Sequence, residues 1–167
     1  MAFKIEVTES KVKAEKYESL LPQIVALIKN ENNLIANLGN VCSALKYSFE
    51  SFIWVGFYLK CEDNQDELVL GPFQGRVACT RISFGKGVCG KAAESKKTVI
   101  VENVDEFTGH IVCDPMSKSE IVVPVIAEGE VIAVLDIDSG EYSSFDDTDK
   151  KYLEMMIENI KHIFSEK

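Results

Sequence analysis

Over the first fifty residues, apolar side chains recur at three- and four-residue intervals, the period of an amphipathic helix. Two segments show this period, residues 11–29 and residues 31–49. We expect Pro22 to break the first helix or to mark a late start, and Asn32 or Asn33 to cap the second. Each helix is predicted to pack through one stripe: Tyr17, Leu20, Leu21, Ile24, Val25, Leu27 and Ile28 in the first, and Leu34, Ile35, Leu38, Val41, Cys42 and Leu45 in the second.

After residue 50 the period changes from about 3.6 to 2, which predicts β-strands. Residues 52–59 form an aromatic and β-branched strand with Trp54, Gly56 and Tyr58 on one face. A polar turn at 61–66 precedes a short strand at 67–70, and the Gly- and Pro-containing run 71–75 is expected to break the sheet before a strand at 78–83. Strands 119–127 and 130–138 are predicted to form a tight hairpin.

The remaining segments predict two more helices and one long loop. A helix at residues 88–96 follows Gly85 and Gly87, and a short strand follows at 98–101. Residues 102–118 show no period, as is typical of binding loops and lids. Residues 143–167 predict a closing helix that opens with an acidic run, which suits its positive dipole end. We therefore expect an α+β fold and a single layered domain spanning residues 1–167.

Composition narrows the possible functions. The chain has 167 residues, 46% of them apolar, and a formal net charge of −9. Nucleic acids and anionic membrane surfaces are bound by clustered Lys and Arg, so no nucleic-acid or membrane partner is expected. The sequence contains neither an 18-residue apolar run nor an apolar secretory leader. We expect a cytoplasmic protein, where thiols are kept reduced, and five cysteines make a purely structural disulfide framework improbable.

Three cysteines lie in settings that favour chemistry. Cys113 lies in a polar loop near His110, where an imidazolium or backbone N–H groups would lower the thiol pKa. Cys89 begins a predicted helix, where unsatisfied N–H groups favour an anion. Cys79 lies in or at the edge of a strand and by itself would be interpreted as core. Together they suggest that at least two of these thiols communicate.

The other two cysteines are expected to have no chemical role. Cys42 lies on an apolar helical stripe and is predicted to be a buried thiol, whereas Cys61 lies in a polar turn and is predicted to be exposed. Structural zinc sites usually present paired ligands two to four residues apart. Only His110 and Cys113 are so closely spaced, so we expect no metal.

Three carboxylates occupy otherwise apolar strands. Asp136 and Asp138 are two residues apart and share a face, with Cα atoms roughly 6.5 Å apart at about 3.3 Å per residue. Two charges at that distance repel by about 2.5 kcal/mol at an effective dielectric of about 20, enough to keep one carboxyl protonated. Glu120 joins this group if its strand pairs with theirs. Such a group offers both an acceptor for an ammonium and a proton donor.

Four motifs together resemble the free methionine-(R)-sulfoxide reductases, which are stand-alone GAF domains. The motifs are residues 70–75 (LGPFQG), 83–90 (SFGKGVCG), 109–114 (GHIVCD) and 134–139 (VLDIDS). The resemblance covers nearly the whole chain. It implies a central antiparallel sheet flanked by N- and C-terminal helices, a homodimer, and reduction of free methionine (R)-sulfoxide with recycling by a thioredoxin-type dithiol.

The resemblance also implies roles for individual residues. Cys113 would attack the sulfoxide and Cys79 would resolve the product as a disulfide, with Cys89 as a possible substitute resolver. The substrate would be bound by two aromatic residues and three carboxylates: Trp54, Tyr58, Glu120, Asp136 and Asp138. Asp138 is favoured for the substrate ammonium and Glu120 or Asp136 for the proton, with His110 as the next candidate donor. The alternative is a non-catalytic GAF module that senses a ligand or the redox state.

Overall fold

The protein is described by a computed structural model that covers residues 4–111 and 113–165. Within these residues the chain forms six β-strands, four α-helices and two short 3-10 helices. The strands are β1 (Phe52–Lys60), β2 (Glu67–Gln74), β3 (Arg81–Ser83), β4 (Val99–Val101), β5 (Ser119–Ala127) and β6 (Glu130–Ser139). The α-helices are α1 (Lys13–Ile28), α2 (Leu34–Ser48), α3 (Gly87–Ser95) and α4 (Asp147–Ile160), and the 3-10 helices are Val104–Glu106 and Lys161–Phe164.

The strands form one antiparallel sheet in the order β3-β2-β1-β6-β5-β4. The predicted hairpin between β5 and β6 is confirmed, and its two-residue turn has positive φ at both Glu128 (52°) and Gly129 (81°). Two consecutive positive φ values are those of the type I′ turn, whose twist matches that of the strands. This hairpin brings β5 beside β6 and so fixes the register of the carboxylates described below.

Strand alternation divides the sheet into two chemically different faces. One face packs against α1, α2 and α4 through side chains such as Val55, Phe57 and Ile137, which form the larger core. The other face carries Trp54 and Tyr58 and is covered by α3. The predicted α+β class, with an antiparallel sheet flanked by N- and C-terminal helices, is confirmed.

A buried polar network joins the two ends of the chain. Asp149 is fully buried and accepts hydrogen bonds from Tyr17 Oη (2.9 Å) and Lys13 Nζ (2.5 Å). Asp146 caps α4 and forms a reciprocal capping box with Asp149. The closing helix therefore begins at Asp147 rather than at the predicted residue 143, and Lys161–Phe164 continues it as a 3-10 turn. Residues 166 and 167 of the predicted helix lie outside the described residues.

Two predictions based on proline were wrong. Pro22 lies inside α1, which continues to Ile28 because burial of the helix's apolar stripe outweighs the single lost backbone hydrogen bond. The run 71–75 does not end its strand, since β2 extends to Gln74. The β1–β2 register shifts between Gly56 and Tyr58, where Pro72 lies. A bulge of this kind accepts a residue that has no N–H to donate.

Further details follow from the local contacts. Asn33 caps α2 as predicted, its side chain accepting a hydrogen bond from Ala36 N (3.0 Å). Cys42 is buried as predicted, and burial raises its pKa to about 12. The predicted exposure of Cys61 was wrong: this side chain is buried, and Arg81 donates a 3.2 Å hydrogen bond to its Sγ that lowers its pKa. The helices among the described residues are too short or too polar to cross a membrane.

Candidate active site

A small cavity of about 40 Å³ opens on the face of the sheet that α3 covers. The sheet provides its floor, α3 one wall, and the segment before β5 its roof. Seven of the eight residues singled out from the sequence line it, and the eighth, Cys79, follows the lining residue Ala78. The lining residues are Trp54, Tyr58, Val77, Ala78, Ile82, Gly87, Val88, Cys89, His110, Ile111, Cys113, Asp114, Ser117, Glu120, Asp136 and Asp138.

The register of three neighbouring strands places the polar side chains of the floor in rows. Asp138 on β6 is paired with Trp54 on β1 and with Glu120 on β5, so these three residues form one row across the sheet. Asp136 lies two residues away and pairs with Gly56 and Val122. The expectation that Glu120 joins the two aspartates is therefore confirmed.

The carboxylates are held in a setting that disfavours negative charge. Glu120 and Asp136 are each only 6% exposed. Burial, followed by repulsion from Asp138, raises the pKa of Glu120 well above its ordinary value. Burial, followed by repulsion from Glu120, does the same to the pKa of Asp136. These groups therefore retain protons at a pH at which ordinary carboxyls are ionised.

Asp138 lies at the edge of the group and is less strongly affected. Burial raises its pKa to about 6, although a 2.5 Å hydrogen bond from Ser117 Oγ to its Oδ1 favours the ionised form. His110 also favours that form, and its Nε2 lies 3.7 Å from Glu120 Oε2. Ser117 was not identified from the sequence, because its position in an irregular segment gives no indication that it meets a strand 21 residues later.

One oxygen of the group has no partner. Asp136 Oδ1 is buried and accepts no hydrogen bond from the described residues. None of the described residues that line the cavity is Lys or Arg, and His110 is the nearest potential cation. The floor of the cavity is thus built for a cationic or proton-donating ligand.

The aromatic side of the cavity depends on two glycines. The Trp54 ring stacks on Tyr58 (6.0 Å between centroids) and Phe73 (5.3 Å), and its Nε1 donates to Arg76 O (3.0 Å). A Cβ at Gly56 or Gly75 would overlap the indole ring, and Gly75 also has a positive φ of 143°. The glycines therefore give the indole the space to lie flat against the strands.

Cys79 and Cys113 form a disulfide at the mouth of the cavity, with Cα atoms 5.6 Å apart and a sequence separation of 34 residues. Tyr58 Oη donates a 3.0 Å hydrogen bond to Cys79 O and so links the aromatic wall to this cysteine. The disulfide links the segment before β5, which carries Cys113, to the segment before β3, which carries Cys79. Val112, within the motif that carries Cys113, lies outside the described residues.

Cys89 behaves differently from the other two site cysteines. It is a free thiol at the third position of α3 and is only 3% exposed. Its position near the helix N-terminus suggested a stabilised thiolate, but burial together with the nearby Asp136 and Glu120 raises its pKa well above the ordinary value. That expectation was wrong, because desolvation and two adjacent carboxylates outweigh the helix dipole.

Comparison with known proteins agrees with this geometry. Residues 38–164 match the GAF domain family. The chain is 54% identical to "GAF domain-containing protein A" of Dictyostelium discoideum, over 94% of this chain and 97% of that protein. It is 44% identical to the free methionine-R-sulfoxide reductase of Saccharomyces cerevisiae, over 86% of this chain and 83% of that protein.

A solved structure extends the similarity to the fold. The free methionine-R-sulfoxide reductase of Neisseria meningitidis, determined in complex with its substrate, superposes with a TM-score of 0.93 at 44% identity. The match covers 98% of this chain and 96% of that one. With the carboxylate floor, the aromatic wall and the disulfide at the cavity mouth, these similarities show that the chain belongs to the GAF domain family and, within it, to the free methionine-R-sulfoxide reductases.

Proposed function

We propose that this protein reduces free L-methionine (R)-S-oxide to methionine through a cysteine sulfenic acid and an intramolecular disulfide. The observation that carries the proposal is the Cys79–Cys113 disulfide at the mouth of a cavity whose floor holds Glu120, Asp136 and Asp138. A redox-active sulfur thus lies beside a group of proton-bearing carboxyls. The relatives named as reductases, and the related structure solved with its substrate, support the same substrate.

Substrate binding would use both sides of the cavity. Asp138, whose pKa is about 6, is ionised at neutral pH and is our choice for the substrate ammonium. The Trp54 and Tyr58 rings would bind the methyl and methylene groups next to the sulfur. An ammonium placed against several carboxylates in an enclosed cavity explains a preference for the free amino acid over a residue within a peptide.

The chemical step needs a thiolate and a proton. The Cys113 thiolate attacks the electrophilic sulfur, while Glu120 or Asp136 donates its proton to the sulfoxide oxygen. The sulfur–oxygen bond of the substrate breaks and the hydroxyl passes to Cys113. The products are methionine and a sulfenic acid on Cys113, so the substrate sulfur is reduced by two electrons and the cysteine is oxidised by two.

Regeneration then proceeds through the disulfide. The Cys79 thiol displaces the hydroxyl of the sulfenic acid as water and forms the Cys79–Cys113 bond. A thioredoxin-type dithiol would reduce that bond by thiol–disulfide exchange, which implies a reducing compartment such as the cytoplasm. Cys89 remains a candidate substitute resolver, although its raised pKa makes its thiol a poor nucleophile at neutral pH.

The enclosed part of the cavity is small in the disulfide form. A cavity of about 40 Å³ accommodates about three water molecules at about 10–15 Å³ each, whereas methionine sulfoxide has ten non-hydrogen atoms. The Ile111 side chain closes the roof and lies about 3.2 Å from the position that a Cβ on Gly87 would take. Reduction of the disulfide would release this roof segment and admit the substrate.

Two further features of the working enzyme are part of the proposal. We propose that residues 1–167 act as a single GAF-like domain, since one sheet supplies the whole carboxylate floor. We also propose a homodimer, and the exposed Ile35 and Tyr47 side chains of α2 offer an apolar surface for a second copy. Sedimentation equilibrium tests the dimer, and a monomer at micromolar concentration would contradict it.

One assay separates this activity from a non-catalytic sensor. Protein, excess dithiol and racemic free methionine sulfoxide are incubated to completion, and the methionine formed is measured. Because only one sulfoxide epimer has its oxygen directed at the proton donor, we expect conversion to stop at about half of the substrate. No methionine would indicate a binding module, and complete conversion would contradict selectivity for the R epimer.

A further inference from the structure

The fold gathers three potential metal ligands that are far apart in the sequence. Cys89 Sγ from α3, a Glu120 oxygen from β5 and an Asp136 oxygen from β6 all lie within 4.8 Å of one another. All three side chains are buried. Tetrahedral zinc ligands at about 2.0–2.3 Å from the ion stand about 3.5 Å apart. A shift of about 1 Å in the side chains would therefore bring this set around one ion.

A buried oxygen without a partner also indicates a ligand at this site. Asp136 is only 6% exposed, and its Oδ1 accepts no hydrogen bond from any residue that the structure describes. Among the described residues no Lys or Arg lines the cavity. His110 Nε2 lies 3.7 Å from Glu120 Oε2 but is not among the atoms that lie within 4.8 Å of one another, so it would have to move towards the ion to become a fourth ligand. Thiolate, imidazole and carboxylate are the ligand types that zinc prefers in proteins.

We propose that Cys89, Glu120 and Asp136 form a binding site for a thiophilic divalent cation of the zinc class, with His110 as the additional ligand. The sequence argued against zinc because it lacks closely spaced ligand pairs, but α3, β5 and β6 bring the ligands together in space. The cavity has room for an ion and one or two waters. The cation would occupy the place in which the proposed reaction puts the sulfoxide oxygen, beside Glu120 and Asp136, so the cation and the substrate would exclude each other.

Proton release provides an independent sign of binding. A cysteine thiol carries a proton that it must lose to become a metal ligand, and so does any carboxyl that is protonated. A metal ion binds only their deprotonated forms and must displace the protons. Calorimetric titration of Zn²⁺ in two buffers of different ionisation enthalpy should therefore show release of at least one proton per ion bound.

The experiment uses the full chain with the Cys79–Cys113 disulfide formed, so that these two thiols cannot bind metal. Cd²⁺ is added first, because a cadmium–thiolate bond gives an ultraviolet charge-transfer band that reports sulfur ligation directly. The Zn²⁺ affinity is then measured by competition with a chromogenic chelator, with Mg²⁺ as the comparison ion. We expect one Cd²⁺ and one Zn²⁺ per chain and no competition from Mg²⁺, which disfavours thiolate.

Matched variants assign the site. Cys89→Ser should abolish the cadmium band, whereas Cys61→Ser, which removes a free thiol outside the cavity, should leave it unchanged. Loss of a residue that only orients a metal ligand already weakens metal binding by about 10- to 100-fold. Removal of a ligand itself, in Cys89→Ser or Asp136→Asn, should therefore weaken Zn²⁺ binding by at least about tenfold. Asp136→Asn also keeps the test usable if Cys89→Ser fails to fold.

Several results would overturn the proposal. They are a cadmium band of equal intensity in Cys89→Ser, an unchanged Zn²⁺ affinity in Asp136→Asn, or equal binding of Mg²⁺ and Zn²⁺. Absence of Zn²⁺ binding by the unaltered protein would do the same. None of these measurements uses turnover, so the metal site and the proposed reductase activity stand or fall separately.

Discussion

Replacing Asp138 by Asn should stabilise the fold at the same time as it impairs substrate binding. Burial raises the pKa of Asp138 from 3.8 to about 6. The folded protein therefore holds this carboxyl less readily in its charged form than the unfolded chain does. At 1.36 kcal/mol per pKa unit, the difference corresponds to about 3 kcal/mol of lost stability wherever the group is ionised in both states.

The direction of the pH dependence follows from the same values. Because the folded pKa is the higher one, the cost is absent below pH 3.8 and fully present once the pH has risen above 6. An Asn side chain stays neutral, and its oxygen can still accept the hydrogen bond from Ser117. The free energy of unfolding of Asp138→Asn should exceed that of the unaltered protein by about 2–3 kcal/mol at pH 8 and by about half as much at pH 5.

Thermal denaturation of the disulfide form at pH 8 and pH 5 measures this gain. For a domain of this size about 1 kcal/mol corresponds to about 2–4 °C, so the melting temperature of Asp138→Asn should rise by about 5–10 °C at pH 8. Asp63→Asn, an exposed turn carboxylate, removes the same net charge and should change stability by less than about 0.5 kcal/mol.

Two outcomes would refute the reasoning. One is a variant that is no more stable than the unaltered protein at pH 8, and the other is a gain of equal size at pH 5 and pH 8. An equal gain in Asp63→Asn would attribute the effect to the overall charge of −9 rather than to the cavity. If the prediction holds, the carboxylate floor is maintained for function at a cost in stability.

Four further results are expected. Cys113→Ser should form no methionine. Cys79→Ser should release one equivalent of methionine and then stall when thioredoxin is the reductant, and full thioredoxin-dependent turnover of Cys79→Ser would make Cys89 the working resolver. N-acetylation of the substrate should reduce kcat/KM at least about 100-fold, because a neutral amide leaves buried carboxylates unpaired, and a comparable kcat/KM would contradict an ammonium site. The single-turnover rate should show a bell-shaped dependence on pH. It should fall at low pH because the Cys113 thiolate is lost, and at high pH because the carboxylic acid of raised pKa deprotonates. A rate that stays constant at high pH would assign the proton donor to another group. Gly56→Ala should raise KM and cost about 1–3 kcal/mol of stability, because its Cβ would overlap the Trp54 ring and lie 2.6 Å from Phe73 Cβ; an unchanged KM would show that the indole does not bind substrate.

Several elements could be predicted from the sequence because they depend on local patterns. The apolar periods gave α1, α2, β1 and the β5–β6 hairpin close to their observed limits. Errors arose where a local rule met a tertiary constraint. Pro22 continues a helix whose apolar stripe is buried, and Pro72 lies in a bulge that opens only when β1 pairs with β2. Cys61 follows β1 in a polar turn and is nevertheless buried, with Arg81 of β3 donating a hydrogen bond to its sulfur.

The site divides in the same way between sequence and structure. Residue identity and the two-residue repeat determined that Asp136 and Asp138 share one face, and the motifs determined the family. Only the tertiary structure decided that Glu120 lies in the same row, that Ser117 supports Asp138, and that burial and nearby carboxylates raise the pKa of Cys89. Strand register, burial and the summed charge of neighbours depend on residues distant along the chain. The pKa of a group in such a cavity is therefore fixed by the packing around it, which no single segment of sequence contains.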